Sequence, residues 1–284
     1  MVMNVHDGLI LAADSASTLV VGTVGQQPGA PPVAQVANVY NNANKIANLY
    51  KGKPIGCVTF GAGSIGSASI STLLKDFREK ITTDSSYFDI NKYTMEDVAK
   101  NLGNFLMEEC KRLPPSAPKP TLGIFLAGYS TSMSLGERWA LNIESGQAQD
   151  PVMLHKPEEV GINWGGEGGE AIGRMILGFG GRLPEILRAV VKPPGAADEV
   201  LKVLMPQLQA QVIFAPMPIQ DAIDLAEFLV HTAIEFSHFS PGPQVVGGPI
   251  EIAAITKHEG FKWIQRKHYY GSELNKEIQH RETH

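Results

Sequence analysis

The sequence predicts an α+β fold in which two antiparallel sheets face each other and helices lie outside them. Three observations predict it. Residues 9–13 form a short unbroken apolar run opened by the turn pair Asp7-Gly8, which suits a strand buried on both faces. Apolar residues at helical spacing fall into two blocks, near 67–112 and near 171–239. Strand-like runs stand before, between and after those blocks, the order expected of a layered sandwich.

The first strand ends at a carboxylate, Asp14, followed by hydroxyls at Ser15, Ser17 and Thr18. A carboxylate at the end of a buried strand is costly unless a positive or hydrogen-bonding group meets it. Two readings stay open on the residues alone. Asp14 caps the turn through Ser15 or Ser17, or it holds a functional cation.

Composition narrows the class. The chain has 284 residues, 43% hydrophobic and 19% charged, and a net charge of −5, an ordinary globular make-up that gives no reason to expect nucleic acid or a membrane as partner. Cys57 and Cys110 are far apart and form neither a disulfide framework nor a zinc pattern, so a reducing, cytoplasmic setting is expected. No apolar stretch approaches a membrane span, and no signal peptide is visible. His280 and His284 are read as part of a solvated tail rather than as a metal pair, so no metal and no cofactor are expected.

In chain order, 19–24 and 33–40 read as a hairpin around a loop of composition GQQPGAPP. Lys45 starts a strand, and 55–60 is another buried one. Gly61-Ala-Gly-Ser-Ile-Gly66 carries the spacing GxGxxG, but no convincing βαβ unit with a ribose-binding acidic residue follows, so dinucleotide binding is set aside in favour of close backbone approach to a substrate chain. Residues 67–81 read as an amphipathic helix, and Thr94 with Asp97 as a capping box opening a helix to about Arg112. Strands are expected at 122–129 and 138–143, turning at 144–147. A helix after the glycines of 163–170 buries Ile172, Met175, Ile176 and Phe179. A longer one at 218–239 has Ile223, Ala226, Phe228, Leu229, Ala233 and Phe236 near helical spacing. Strands at 250–256 and 261–264 close the fold. The expected organisation is one domain over 1–266, elaborated near 22–40 and 190–216, with a charged tail over 267–284.

Asp7-Gly-Leu-Ile-Leu-Ala-Ala-Asp-Ser-Ala-Ser-Thr18 resembles the opening of proteasome β-type subunits, and Asn44-Lys45-Ile46 with Pro54-Ile-Gly-Cys-Val-Thr-Phe-Gly61 resembles a second segment of that family. A weaker likeness to the bacterial proteasome-like members of the N-terminal nucleophile hydrolases runs through much of the chain. The resemblance implies a four-layer αββα sandwich, a peptide or amide substrate, and a homo-oligomer assembled as a ring or helical array. It also implies roles. Asp14 and Lys45 match the family's charged pair, Gly61 its oxyanion N–H donor, and Thr18, with Gly63 beside it, the residues that meet the substrate backbone.

The match is incomplete. In the family the nucleophile is a threonine that begins the mature chain, and its position falls roughly three residues ahead of Met1, as the attack geometry of the motif requires. Gly166 or Gly168 stands where a relay serine is expected, and the family's second aspartate has no counterpart near Val246-Gly247. The start of the chain lying further upstream, a shortened chain, or an inactive assembly subunit would each account for the gap. Because Asp14, Lys45 and Gly61 are all present, a threonine-type peptidase or amidohydrolase is preferred over an inactive subunit.

Overall fold

The computed structural model of the chain describes residues 1–24, 33–193 and 195–267. It is a mixed α/β protein built on antiparallel sheets. The first hairpin joins β1 (Val2–Val5) to β2 (Gly8–Ala13) through the two-residue turn His6-Asp7. Next come β3 (Ser17–Val24) and β4 (Val33–Tyr40), which pair only with each other as a ribbon apart from the main sheets. The loop read between them lies outside the described residues. Then follow β5 (Ile46–Asn48), β6 (Ile55–Gly61) and a minor ribbon, β7 (Ser64–Ile65) with β8 (Ala68–Ser69).

That ribbon corrects the start of the first helix. Ala68 and Ser69 are extended, and α1 (Ile70–Thr83) begins where the Ser69 hydroxyl accepts the Thr72 N–H at 3.1 Å. The capping box of α2 (Met95–Lys111) forms as read. The Thr94 hydroxyl accepts the Asp97 N–H at 3.1 Å, and the Asp97 carboxylate accepts the Thr94 N–H at 3.2 Å.

The middle of the chain supplies β9 (Leu122–Gly128), β10 (Glu137–Glu144), β11 (Gln147–Ala148), β12 (Val152–Met153) and β13 (Gly161–Asn163). The helices α3 (Gly169–Leu177), α4 (Leu183–Val190), α5 (Ala196–Leu208) and α6 (Ile219–Phe239) follow, and β14 (Glu251–Thr256) and β15 (Gly260–Gln265) close the series. One sheet has the order β13-β1-β2-β14-β15. The other has β11-β10-β9-β6-β5, with β12 also on β10.

Side-chain alternation along the strands separates three apolar clusters. From β2, Leu9, Leu11 and Ala13 join Ala253 and Ile255 of one sheet with Val58, Phe125 and Ala127 of the other. Ile10 and Ala12 point the opposite way, onto Ile172 of α3 and Ala222, Ala226 and Leu229 of α6. Residues of β6 and β9 facing away from the first cluster, among them Cys57, Ile124 and Leu126, meet Leu74 and Phe77 of α1 and Leu102 and Leu106 of α2. β2 is therefore covered on both faces, as its unbroken apolar run predicts.

Other expectations change. β1, β13 and α4 were not anticipated; the strands are short, and no side chain of α4 is buried. Met175 is 37% exposed, and Phe179 lies beyond the end of α3. On α6 the buried stripe is Ala222, Ile223, Ala226, Leu229, Val230 and Ala233, while Phe228 and Phe236 face outward at 54% and 43% exposure. Small alanines let this helix lie close on the sheet, and the large rings fall off that line. Lys267, read as the first residue of a charged tail, is buried to 7% side-chain exposure and bonded into the protein. The rest of that tail, with His280 and His284, lies outside the described residues.

Thr94→Ala removes the cap of α2 and its share of the reciprocal bonds. Chemical denaturation should show a loss of about 1 kcal/mol, with an unchanged m-value.

Candidate functional site

Asp14 follows the last residue of β2 and Lys45 precedes the first of β5, so two strands from different sheets deliver the pair. Lys45 Nζ donates to Asp14 Oδ1 at 2.6 Å. The other oxygen, Oδ2, accepts the N–H of Ala16 at 3.1 Å and that of Gly247 at 3.0 Å. Asp14 therefore closes its own turn, through the Ala16 N–H rather than through Ser15 or Ser17, and also binds a cation. The Ser15 hydroxyl does not take part in that turn; it donates to the Pro249 carbonyl at 2.6 Å. The pair is mostly but not wholly enclosed, with side chains 21% exposed for Lys45 and 14% for Asp14.

These residues border a cavity of about 980 Å³, which is also lined by Gly61, Gly63, Thr18 and Met1. All five residues singled out from the sequence thus face one space. Gly61 has φ +92, and a Cβ there would stand 2.8 Å from the Thr121 carbonyl oxygen, so both conformation and space demand glycine. At Gly63 an added Cβ would meet Ser17 Oγ at 3.1 Å, and its carbonyl accepts the Ile70 N–H at 3.0 Å. Thr18 lies in β3 opposite Val39.

The second glycine cluster forms another part of the wall. A Cβ at Gly165 would come within 2.6 Å of the Phe60 ring, Gly166 has φ +85, and a Cβ at Gly168 would meet the Ala233 side chain at 3.2 Å. Glycine here allows Phe60 and α6 to approach, and it leaves this stretch without a hydroxyl.

Sequence reasoning missed the α-amine of Met1. It is fully buried at the cavity wall and donates to the Ala12 carbonyl at 2.7 Å, while the Ala12 N–H donates to the Met1 carbonyl at 3.1 Å. Burial, partly opposed by the Asp14 charge and reinforced by Lys45, pulls the amine down from 8.0 to about 5. Gly247, Glu251 and Lys267 were missed as well.

Cys57 is excluded as a nucleophile, since burial pushes its thiol up to about 12. Among the described residues no group of three or more His, Cys, Asp or Glu side chains is placed to hold a metal ion, and no helix is long and apolar enough to cross a membrane.

Fold and cavity together define a mixed α/β protein with a charged pair at the edge of a cleft between two antiparallel sheets. No family model and no curated protein matches the chain. Among solved structures it is similar to "Anbu (ancestral beta-subunit) from Yersinia bercovieri", at 12% identity and a TM-score of 0.49 over 94% of this chain and 87% of that one. It is also similar to "Helical Assembly of the Anbu Complex from Pseudomonas aeruginosa", at 10% identity and a TM-score of 0.49 over 96% and 89%. The likeness concerns the fold alone.

Two outcomes are expected. In the 284-residue chain the Met1 amine is neutral when folded above about pH 5 but protonated when unfolded below about pH 8. The unfolded state therefore binds the extra proton between those values, so stability rises with pH across that window and falls as the solution is acidified. Denaturant titrations from pH 5 to 8 should show a gain of up to about 4 kcal/mol, abolished by N-terminal acetylation if the acetylated chain folds. Separately, Lys45→Ala should cost about 1–3 kcal/mol, between the values for exposed and fully buried pairs. A double-mutant cycle with Asp14→Ala should show coupling, and additive losses would mean the pair does not interact.

Proposed function

We propose that this chain is a proteasome-like N-terminal nucleophile hydrolase with the four-layer αββα arrangement, cutting a peptide or amide bond in a homo-oligomer. The observation that carries this reading is the 2.6 Å contact between Asp14 and Lys45 on the wall of the cavity. The packing of α1 and α2 against one sheet, and of α3 and α6 against the other, supports the layering.

Asp14 holds the Lys45 ammonium, and that charge disfavours protonation of a neighbouring α-amine. The amine then takes the proton from a hydroxyl on its own residue, and the hydroxyl oxygen attacks the substrate carbonyl carbon. The Gly61 N–H steadies the oxyanion. Collapse breaks the C–N bond, the leaving amine takes the proton, and water hydrolyses the ester to restore the hydroxyl. Thr18 and Gly63 align the substrate backbone. Continuing the register in which Val2 faces Leu11, residues ahead of Met1 would face Ala13, Asp14 and Ser15 in turn, beside Lys45. A threonine placed three residues ahead of Met1 would lie in that stretch.

A second reading, a catalytically inactive assembly subunit, is favoured by one observation. The Gly165, Gly166 and Gly168 positions offer no relay hydroxyl.

One preparation separates the two. A ubiquitin fusion is cleaved to expose a threonine three residues ahead of Met1, and the product is incubated with a peptide vinyl sulfone. The hydrolase reading expects one adduct on the terminal threonine by intact mass, release of fluorophore from peptide amides, and loss of both in Lys45→Ala. Folded protein that gives neither adduct nor turnover would overturn it in favour of the assembly subunit.

A further inference from the structure

Behind the Asp14–Lys45 pair lies a second buried lysine. Lys267 follows β15, and its ammonium donates to Ser15 Oγ at 2.6 Å and to the Ala43 carbonyl at 2.7 Å. Its ammonium also lies 3.1 Å from Glu251 Oε2. Glu251 is 1% exposed, and neither of its carboxylate oxygens makes a hydrogen bond of normal geometry, so the contact is one of charge rather than of aligned donor and acceptor.

The two atoms that receive Lys267 sit next to the site. Ser15 adjoins Asp14, and Ala43 is two residues ahead of Lys45. The same knot is tied by backbone. The Ala43 N–H donates to the Ser15 carbonyl at 2.9 Å, and the Ser15 N–H to the Gly247 carbonyl at 2.8 Å. Ser15 uses its hydroxyl both ways, donating to Pro249 and accepting from Lys267.

We propose that Lys267 is a positioning residue, whose ammonium ties the turn that carries Asp14 to the segment that presents Lys45. The inference rests on reading Asp14 and Lys45 as the heart of the site, but not on which reaction they serve. A backbone carbonyl and a hydroxyl on two separate segments each lose a strong donor if Lys267 is removed, because a charged donor bonds more tightly than a neutral one. Glu251 provides the countercharge that makes an enclosed ammonium tolerable. Burial nonetheless pulls the Lys267 amine below its usual range, with Glu251 opposing that fall. Neither Glu251 nor Lys267 needs to touch substrate to act in this way.

Amide hydrogen exchange by NMR distinguishes positioning from general stabilisation, and it requires no turnover. The reporters are the N–H groups of Ala16 and Gly247, which donate to Asp14, and that of Ala43, which donates to Ser15. The references are Ile124 and Leu126, buried in β9 between its two neighbours. In Lys267→Met the reporters should exchange at least tenfold faster relative to the references. The double variant Glu251→Met/Lys267→Met removes the stranded carboxylate, so it should recover melting temperature while keeping the excess exchange at the reporters. It also serves as the measurement if the single variant does not fold. Equal acceleration at reporters and references, or unchanged reporters in either variant, would overturn the proposal. Loss of positioning with no catalysis in the threonine-bearing protein would leave this inference standing and remove only the hydrolase reading.

Discussion

A carboxylate at the end of a strand covered on both faces governs the arrangement of this protein. β2 is apolar throughout because the second sheet presses on one face and α3 and α6 press on the other. Where that strand stops, Asp14 has little access to water and must be met by donors. It receives three: an ammonium from the other sheet, an N–H from its own turn, and an N–H from the segment before β14. Each donor comes from a different part of the chain, so satisfying one carboxylate draws both sheets and the closing segment together. The cavity opens beside this junction.

Glycine and aromatic packing shape the rest of that cavity. The Phe60 ring lies 4.9 Å from the Phe125 ring, and Cβ atoms at Gly123 and Gly165 would come within 2.2 and 2.6 Å of it. The ring therefore fits only because a strand and a loop give up side chains around it. The cost falls on chemistry. The stretch of wall built for close approach, residues 165–169, offers no hydroxyl of its own to a proton relay.

Much of the fold was legible because it rests on local rules. Unbroken apolar runs placed β2, β6 and β9, and the Thr94–Asp97 spacing placed α2. The misreadings follow from the same source. Phe228 and Phe236 fall near the helical spacing of the apolar stripe, yet a face rich in alanine is what approaches the sheet. The short strands β1 and β13 carry too few residues for a period to show.

The candidate site divides in the same way. The sequence by itself determined that Asp14, Lys45 and Gly61 stand at the ends of strands that apolar runs locate, and their meeting at one site was what the family resemblance implied. Glycine at position 61 was legible, but its φ of +92 against the Thr121 carbonyl was not. Tertiary structure alone decided what completes the site. Gly247 reaches Asp14 across a separation of 233 residues, and Lys267 reaches Ser15 across 252. No window of sequence carries such information, because a lysine after a final strand looks the same whether it faces water or a buried glutamate. The difference arises only when the closing strands dock beside β2 and exclude the solvent that would otherwise have received both charges.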